Sequence, residues 1–137
     1  MTQPSFRLPL LLCALAFCLG GCGGGASKIN GKVVRGDLSF IILVDANDPR
    51  LKGEGLPGAH VAIRSVASRG GGLLADGTSD KSGNVTLSVR DAGALLRPAE
   101  FSAELEGYQR TTAEMSIPPV DKRILVLLKP GAPGPGK

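Results

Sequence analysis

Residues 101–106 read FSAELE, an uninterrupted alternation of apolar and polar side chains. Successive side chains of a β-strand point to opposite faces, so this alternation gives one buried and one solvated face. Residues 84–89, NVTLSV, repeat the pattern with apolar residues at every second position. Both segments are therefore predicted to be strands with one face against a core.

Further strand-like segments lie on both sides of these two. They are residues 29–34, 38–44, 61–64, 73–79, 111–117 and 124–128. The runs at 38–44 and 124–128 are apolar throughout, which is typical of strands that are buried more heavily. Residues 91–96 predict one helical turn capped by Asp91 and closed by Pro98. The pattern predicts an all-β sandwich of about 7–8 strands.

Length and composition limit the function classes. The chain has 137 residues, enough for one ordinary domain, with 20 Gly, 10 Pro, one His and no Trp. Its formal net charge is +4, and the basic residues form no stripe interleaved with aromatic residues. A nucleic-acid partner is therefore not expected.

The N-terminus has the pattern of an export signal. Arg7 precedes the apolar run LPLLLCALAFCL at residues 8–19, which is too short to span a bilayer but suits a signal peptide. The following Leu19-Gly20-Gly21-Cys22 resembles a bacterial lipobox. This resemblance implies that Cys22 carries diacylglycerol through a thioether, becomes the mature N-terminus and is N-acylated, typically with palmitate. The alternative is an ordinary thiol after an ordinary signal peptide.

The cysteine count agrees with lipidation. Cys13 and Cys18 lie inside the segment that would be removed, so Cys22 has no partner for an intramolecular disulfide. Residue 23 is Gly rather than Asp, which by resemblance to lipoprotein sorting favours the outer membrane of the bacterial cell envelope.

These signals divide the chain into four parts. We predict a lipoprotein signal peptide at 1–21, a lipidated Cys with a Gly-rich linker at 22–27, a β-sandwich at 28–129, and a Pro/Gly-rich disordered tail at 130–137. The linker from 23 to 27 reaches at most about 17 Å when extended, so the domain is expected to work close to the membrane.

Turn residues between the strands carry a family resemblance. Pro57 and Gly58 launch one strand, Asp80 and Gly83 form a hairpin turn in which Gly83 takes a positive φ, and Gly107 with Tyr108 closes another strand. In this order they resemble the carboxypeptidase regulatory-like family. The matching residues are Gly31, Val33, Leu56, Pro57, Gly58, Ala59, Val61, Thr78, Asp80, Gly83, Gly107 and Tyr108. The resemblance implies a transthyretin-like (Ig-like) β-sandwich that is non-catalytic.

One segment departs from that pattern. The family passes from the first strand to the Pro-Gly-Ala turn in about ten residues, whereas residues 37–55 intervene here. The insertion contains the apolar run of residues 40–44 and is expected to add an edge or covering strand. It is the predicted location of any feature specific to this protein.

No catalytic or metal site is predicted, and no cofactor. Asp45, Asn47 and Asp48 have calcium-like spacing, as do Asp76, Thr78 and Asp80, but neither group has the Gly and Glu that an EF-hand loop needs, so turn roles are expected. His60 is the lone imidazole and is predicted to lie at the surface. Residues 68–72, SRGGG, are interpreted as a hairpin loop rather than an anion nest.

The function predicted from these features is that of a lipid-anchored envelope lipoprotein, a non-catalytic binding or structural module. Its expected partners are the membrane, through Cys22, and another envelope protein. Two alternatives stay open. One is a carbohydrate-binding module, which would need exposed aromatic side chains, and the other is a lipoprotein subunit of a secretion or envelope complex.

Overall fold

The chain folds into two four-stranded β-sheets, as seen in a computed structural model that describes residues 26–66, 72–90 and 92–131. The strands are β1 Ser27–Arg35, β2 Phe40–Asp45, β3 His60–Ser65, β4 Leu73–Thr78, β5 Asn84–Val89, β6 Pro98–Glu104, β7 Thr111–Ser116 and β8 Lys122–Leu128. Two 3₁₀ helices, Pro49–Lys52 and Ala92–Leu96, connect strands. The predicted all-β sandwich of 7–8 strands is confirmed.

The strands are ordered β2-β8-β1-β5 in the first sheet and β4-β3-β6-β7 in the second. β1 and β8 are parallel neighbours, and the other strand pairs are antiparallel. β1 therefore lies between the last strand of the fold and β5 in the middle of the first sheet. Strands that are far apart in the sequence close this sheet.

The core lies between the two sheets and follows the alternation of the sequence. Phe101 and Ile63 from the second sheet, with Val33, Leu87 and Val126 from the first, are fully buried. The residues between them on each strand point to the outer faces. Burial of one face of each sheet accounts for the period of two in residues 84–89 and 101–104.

Some strand boundaries differ from the predicted ones. The strand predicted from residue 101 begins at Pro98, because the first position of a strand tolerates a residue that has no N–H group. It ends at Glu104, since the chain then turns through Gly107 at φ +81°. The predicted helical turn is the second 3₁₀ helix, whereas its expected cap Asp91 lies outside the described residues.

The signal peptide, Cys22 and most of the Gly-rich linker also lie outside the described residues, as do residues 67–71 and 132–137. Within residues 26–66, 72–90 and 92–131, no helix has the length and apolar character needed to cross a membrane.

The sandwich has two ends, which we name by the path of the chain. The proximal end is where β1 begins, and Ser27 pairs there with Val89 at the end of β5. Residues 90–97 lead from that point to Pro98, so β6 also begins at the proximal end. The distal end, opposite, carries the turns at residues 55–59, 79–83 and 105–110.

Candidate functional site

The insertion at residues 37–55 has two parts. Its strand, β2, lies at the edge of the first sheet and pairs with β8, from Phe40 opposite Leu127 to Asp45 opposite Lys122. The expected edge strand is therefore confirmed. The second part, residues 46–55, includes the first 3₁₀ helix and is called the flap here.

The flap covers part of the outer face of the first sheet. Leu51 of the 3₁₀ helix packs with a cluster formed by Val34, Val44 and Leu125. Leu125 is fully buried although its neighbours Ile124 and Val126 point into the main core. Burial of β8 on both faces explains why residues 124–128 are apolar throughout.

A charge pair shapes the start of the flap. The Asp48 carboxylate accepts hydrogen bonds from the Arg50 backbone N–H at 2.9 Å, from Nε at 3.0 Å and from Nη2 at 2.8 Å. These hydrogen bonds from Arg50 lower the pKa of Asp48 to about 2 and raise the pKa of Arg50. Beside them, Lys122 donates to the Asp45 carboxylate, which raises the pKa of Lys122.

The end of the flap is joined to the distal end of the sandwich. The Leu56 N–H donates to the Val33 carbonyl at 2.8 Å, and the Val33 N–H donates to the Gly83 carbonyl at 2.8 Å. Gly55 lies so close to the next turn that a Cβ there would come within 1.8 Å of the Ser82 carbonyl oxygen. Only glycine fits at this position, so the flap has one defined path over the sheet.

An open groove of about 700 Å³ lies between the flap and β1 near the distal end. Its apolar lining comes from Val34, Leu56, Tyr108, Leu125 and Leu127. Its charged lining comes from Arg35, Asp37, Arg50 and Glu54. A groove of this size, with an apolar lining and a few charges of both signs, has the character of a binding cleft. We call it the flap groove.

The glycines of the three predicted turns lie in the left-handed region of the backbone, as expected for Gly83. Gly58, Gly83 and Gly107 have φ angles of +78°, +81° and +81°. The Asp80 Oδ1 atom accepts from the N–H groups of Ser82 and Asn84, both at 2.9 Å, as expected for an Asp that forms a turn. These residues shape the distal end, and of the predicted set Tyr108 also lines the flap groove.

A residue that the sequence reasoning missed joins two of these turns. The buried hydroxyl of Ser79 accepts from the Ala59 N–H at 2.9 Å and donates to the Leu56 carbonyl at 2.6 Å. Its partners lie 20 and 23 residues away. No local pattern could have revealed this role, because Ser after a strand is common in ordinary turns.

His60 lies on the outer face of the second sheet, between two carboxylates from neighbouring strands. Its Nε2 is 3.0 Å from Asp76 Oδ2 on β4, and its Nδ1 is 3.6 Å from Glu104 Oε1 on β6. All three side chains are at least two-fifths exposed. The predicted surface position of His60 is confirmed, and no local sequence pattern indicated its two acidic neighbours.

In both acidic groups with calcium-like spacing, each Asp interacts with a different partner instead of converging on one site. Asp45 binds Lys122, Asp48 binds Arg50, Asp76 faces His60, and Asp80 caps its own turn. In the part of the chain that the structure describes, no group of three His, Cys, Asp or Glu side chains is arranged to hold a metal ion.

Few aromatic side chains are available at the described surface. Phe101 is fully buried in the core, whereas Phe40 and Tyr108 are half-buried. A sugar-binding platform would therefore have to use these two, and of them only Tyr108 lines the flap groove. Within the described residues, few aromatic side chains are therefore available for the carbohydrate-binding alternative.

Comparisons with known proteins add little to this geometry. No family model matches the chain, and no curated protein matches it. One solved structure, a 9R-lipoxygenase from Cyanothece PCC8801, aligns with 14% sequence identity and a TM-score of 0.37. The alignment covers 66% of this chain and 13% of the lipoxygenase, and a likeness this weak carries no argument about fold or function.

Proposed function

We propose that this chain is a lipid-anchored lipoprotein of the bacterial envelope, whose β-sandwich binds another envelope protein and catalyses no reaction. In this proposal the sandwich belongs to the carboxypeptidase regulatory-like family and has its transthyretin-like fold. Cys22 carries the lipid, including palmitate, and holds the protein at the outer membrane.

The flap groove is the observation that carries the binding role. It is bordered by the segment that departs from the family pattern, and that segment is joined to the rest of the domain at Asp45, Leu51 and Gly55 rather than loosely attached. An insertion with a defined path that creates a groove is suited to recognition, because its lining is already ordered before a partner arrives.

The turn geometry supports the family assignment within this proposal. The resemblance rests on turns at Pro57-Gly58, Asp80 to Gly83 and Gly107-Tyr108, and the glycines of all three have positive φ. Such turns are a requirement of the family pattern. They say nothing about a ligand, so the binding role depends on the flap groove alone.

Photo-crosslinking in cells tests the binding role. A photoreactive phenylalanine analogue is placed at Asp37 or Glu54 on the rim of the flap groove, and at Thr112 or Glu114 as controls. The controls are exposed on the outer face of the second sheet, where β7 pairs with β6. We expect one discrete crosslinked envelope protein from the groove positions and none from the controls.

The same adduct from all four positions, or no adduct from any, would contradict binding at the flap groove. Deleting residues 37–55 is a poor test, because it would remove β2 and expose Leu125. Crosslinking leaves the fold intact, since both groove positions are exposed.

A further inference from the structure

The exposed apolar side chains of the described residues are unevenly distributed. Seven large apolar residues are exposed: Leu38, Leu43, Val66, Leu73, Leu95, Leu96 and Val120. Five of them, all except Leu38 and Leu43, lie at the proximal end. Scattered apolar residues are ordinary at a protein surface, but a concentration at one end indicates contact with something apolar.

The strand pairings place these five residues at the same end of the sandwich. Val66 directly follows β3, and Leu73 begins β4 opposite Arg64. Leu95 and Leu96 lie in the 3₁₀ helix that leads to Pro98, and β3 and β6 pair nearby through Ser65 and Ala99. Val120 lies in the turn from β7 to β8 at the same end.

A groove of about 450 Å³ lies between the start of β4 and the second 3₁₀ helix, which carry Leu73 and the two helical leucines. On one side it is lined by Ser65, Gly72 and Leu74, and on the other by Gly93, Ala94 and Arg97. The second 3₁₀ helix therefore lies beside the start of β4. Leu96 is 89% exposed and Val120 is 82% exposed, so neither is needed to fill the core.

The charges around this apolar group are mainly basic. Arg90 and Arg97 flank the second 3₁₀ helix, Arg64 faces Leu73 across the strand pair, and all three are exposed. The described acidic residues at this end are Glu100, opposite Arg64 on β6, Asp121 beside Val120, and Asp45, which is paired with Lys122. Apolar side chains bordered by arginines suit the headgroup region of an anionic bilayer, where the arginine charge stays at the surface.

The path of the chain brings this end to a membrane. β1 begins at the proximal end with Ser27, five residues after Cys22, and those residues span at most about 17 Å. The nine residues of β1 rise about 26 Å, so the distal end is farther from Ser27 than the linker can reach. The anchor therefore confines the proximal end to the vicinity of the lipid headgroups.

We infer that the proximal end of the sandwich rests on the bilayer, with Leu95, Leu96 and Leu73 in the headgroup region and the flap groove turned away from the membrane. This inference depends on the lipid anchor at Cys22 in the proposed function. It assigns an orientation to the domain and makes the exposed leucines a second, weaker contact with the lipid. Contact of this kind reaches a depth of about 5–10 Å.

The test measures the depth of a nitroxide label on the lipidated full chain in vesicles of phosphatidylethanolamine and phosphatidylglycerol. Cys13 and Cys18 leave with the signal peptide and a lipidated Cys22 has no free thiol, so one introduced Cys is the single labelling site. Leu96→Cys and Leu73→Cys report on the proximal end. Leu38→Cys, at a position 65% exposed, is the matched control outside that end.

For each label, the ratio of its collision rate with oxygen to its collision rate with a water-soluble nickel chelate is measured. We expect this ratio to be several-fold higher at 96 and 73 than at 38. Labels that are equally accessible to the nickel chelate at all three positions would overturn the inference. Labels equally deep at 96 and 38 would also overturn it, because the domain would then lie flat. A label at 96 shielded from both reagents would overturn it as well, because a second copy or another protein would then cover this end in place of lipid.

Lipidation of Cys22 is measured separately, by the intact mass of the protein in the same preparation. A lipidated chain whose label at 96 is in water overturns the orientation and leaves the proposed function standing. A chain without lipid on Cys22 overturns the anchor and, with it, the orientation that depends on it.

Discussion

The two ends of the sandwich differ in how their residues are used. At the distal end, the turns at 55–59 and 79–83 share backbone hydrogen bonds, and the buried hydroxyl of Ser79 joins them. At the proximal end, large apolar side chains such as Leu96 project into solvent. Residues at the distal end specify the fold, whereas the exposed apolar side chains at the proximal end are available for contact. The motif residues of this chain belong mainly to the first group.

The largest effect should follow a substitution where two distal turns touch. Gly83 has φ +81°, and a Cβ there would lie 2.5 Å from both the Gly55 Cα and the Val33 carbonyl oxygen. Gly83→Ala therefore combines backbone strain with a clash against backbone atoms, and we expect a loss of about 3 kcal/mol or more in the free energy of unfolding. Urea denaturation measures this loss.

Gly107→Ala is the matched control for that substitution. Gly107 has the same φ of +81°, but a Cβ there would have nothing within 4 Å. We expect a smaller loss of about 1–2 kcal/mol, from the left-handed backbone alone. Equal losses for the two variants would show that the contact between the distal turns does not matter.

A second substitution removes the hydroxyl that joins the same turns. Ser79→Ala leaves the Ala59 N–H without its buried acceptor, and we expect a loss of about 1–3 kcal/mol in the free energy of unfolding. Ser88→Ala, at an exposed position of β5, is the control and should change stability little. If Ser79→Ala were as stable as the control, water would have to replace the hydroxyl.

The strands and turns could be predicted from the sequence because their signals are local. Residues 84–89 alternate on their own, and Gly83 signals its turn within four residues. The flap groove could not be predicted, because it needs β2 to pair with β8 some 80 residues later and Gly55 to meet Ser82. The exposure of Leu96 could not be predicted either, because a short 3₁₀ helix has no clear apolar period in the sequence.

A smaller effect concerns the flap, which connects the two ends along the first sheet. Hydrogen bonds from Arg50 lower the pKa of Asp48 to about 2 from 3.8, so the ionised carboxylate is favoured in the folded chain. The stabilisation is therefore present above pH 3.8 and is lost as the pH falls through about 2. Salt should weaken this stabilisation, because the Asp48–Arg50 pair lies at the surface.

An NMR titration of the side-chain carboxyl carbon measures the pKa of Asp48. In the Arg50→Ala variant the midpoint should return toward 3.8, because the side-chain hydrogen bond from Arg50 is the largest cause of the shift. A midpoint that is unchanged in this variant would mean that the pair does not hold the start of the flap.

The smallest effect on stability is expected at the proximal end. Replacing Leu96 by Ser should change the free energy of unfolding by no more than about 0.5 kcal/mol, since its side chain is 89% exposed. Urea denaturation checks this. A loss as large as that of Gly83→Ala would place this leucine in the fold rather than at a contact surface, and the contrast between the two ends would fail.

The contrast matters for the proposed function because a lipid anchor at Cys22 would join the domain at the proximal end. The mass of the N-terminal peptide of the protein extracted from membranes tests that anchor most directly. We expect a chain that begins at Cys22 and carries diacylglycerol and an N-linked acyl group. A chain that begins at another residue, or at an unmodified Cys22, would contradict it.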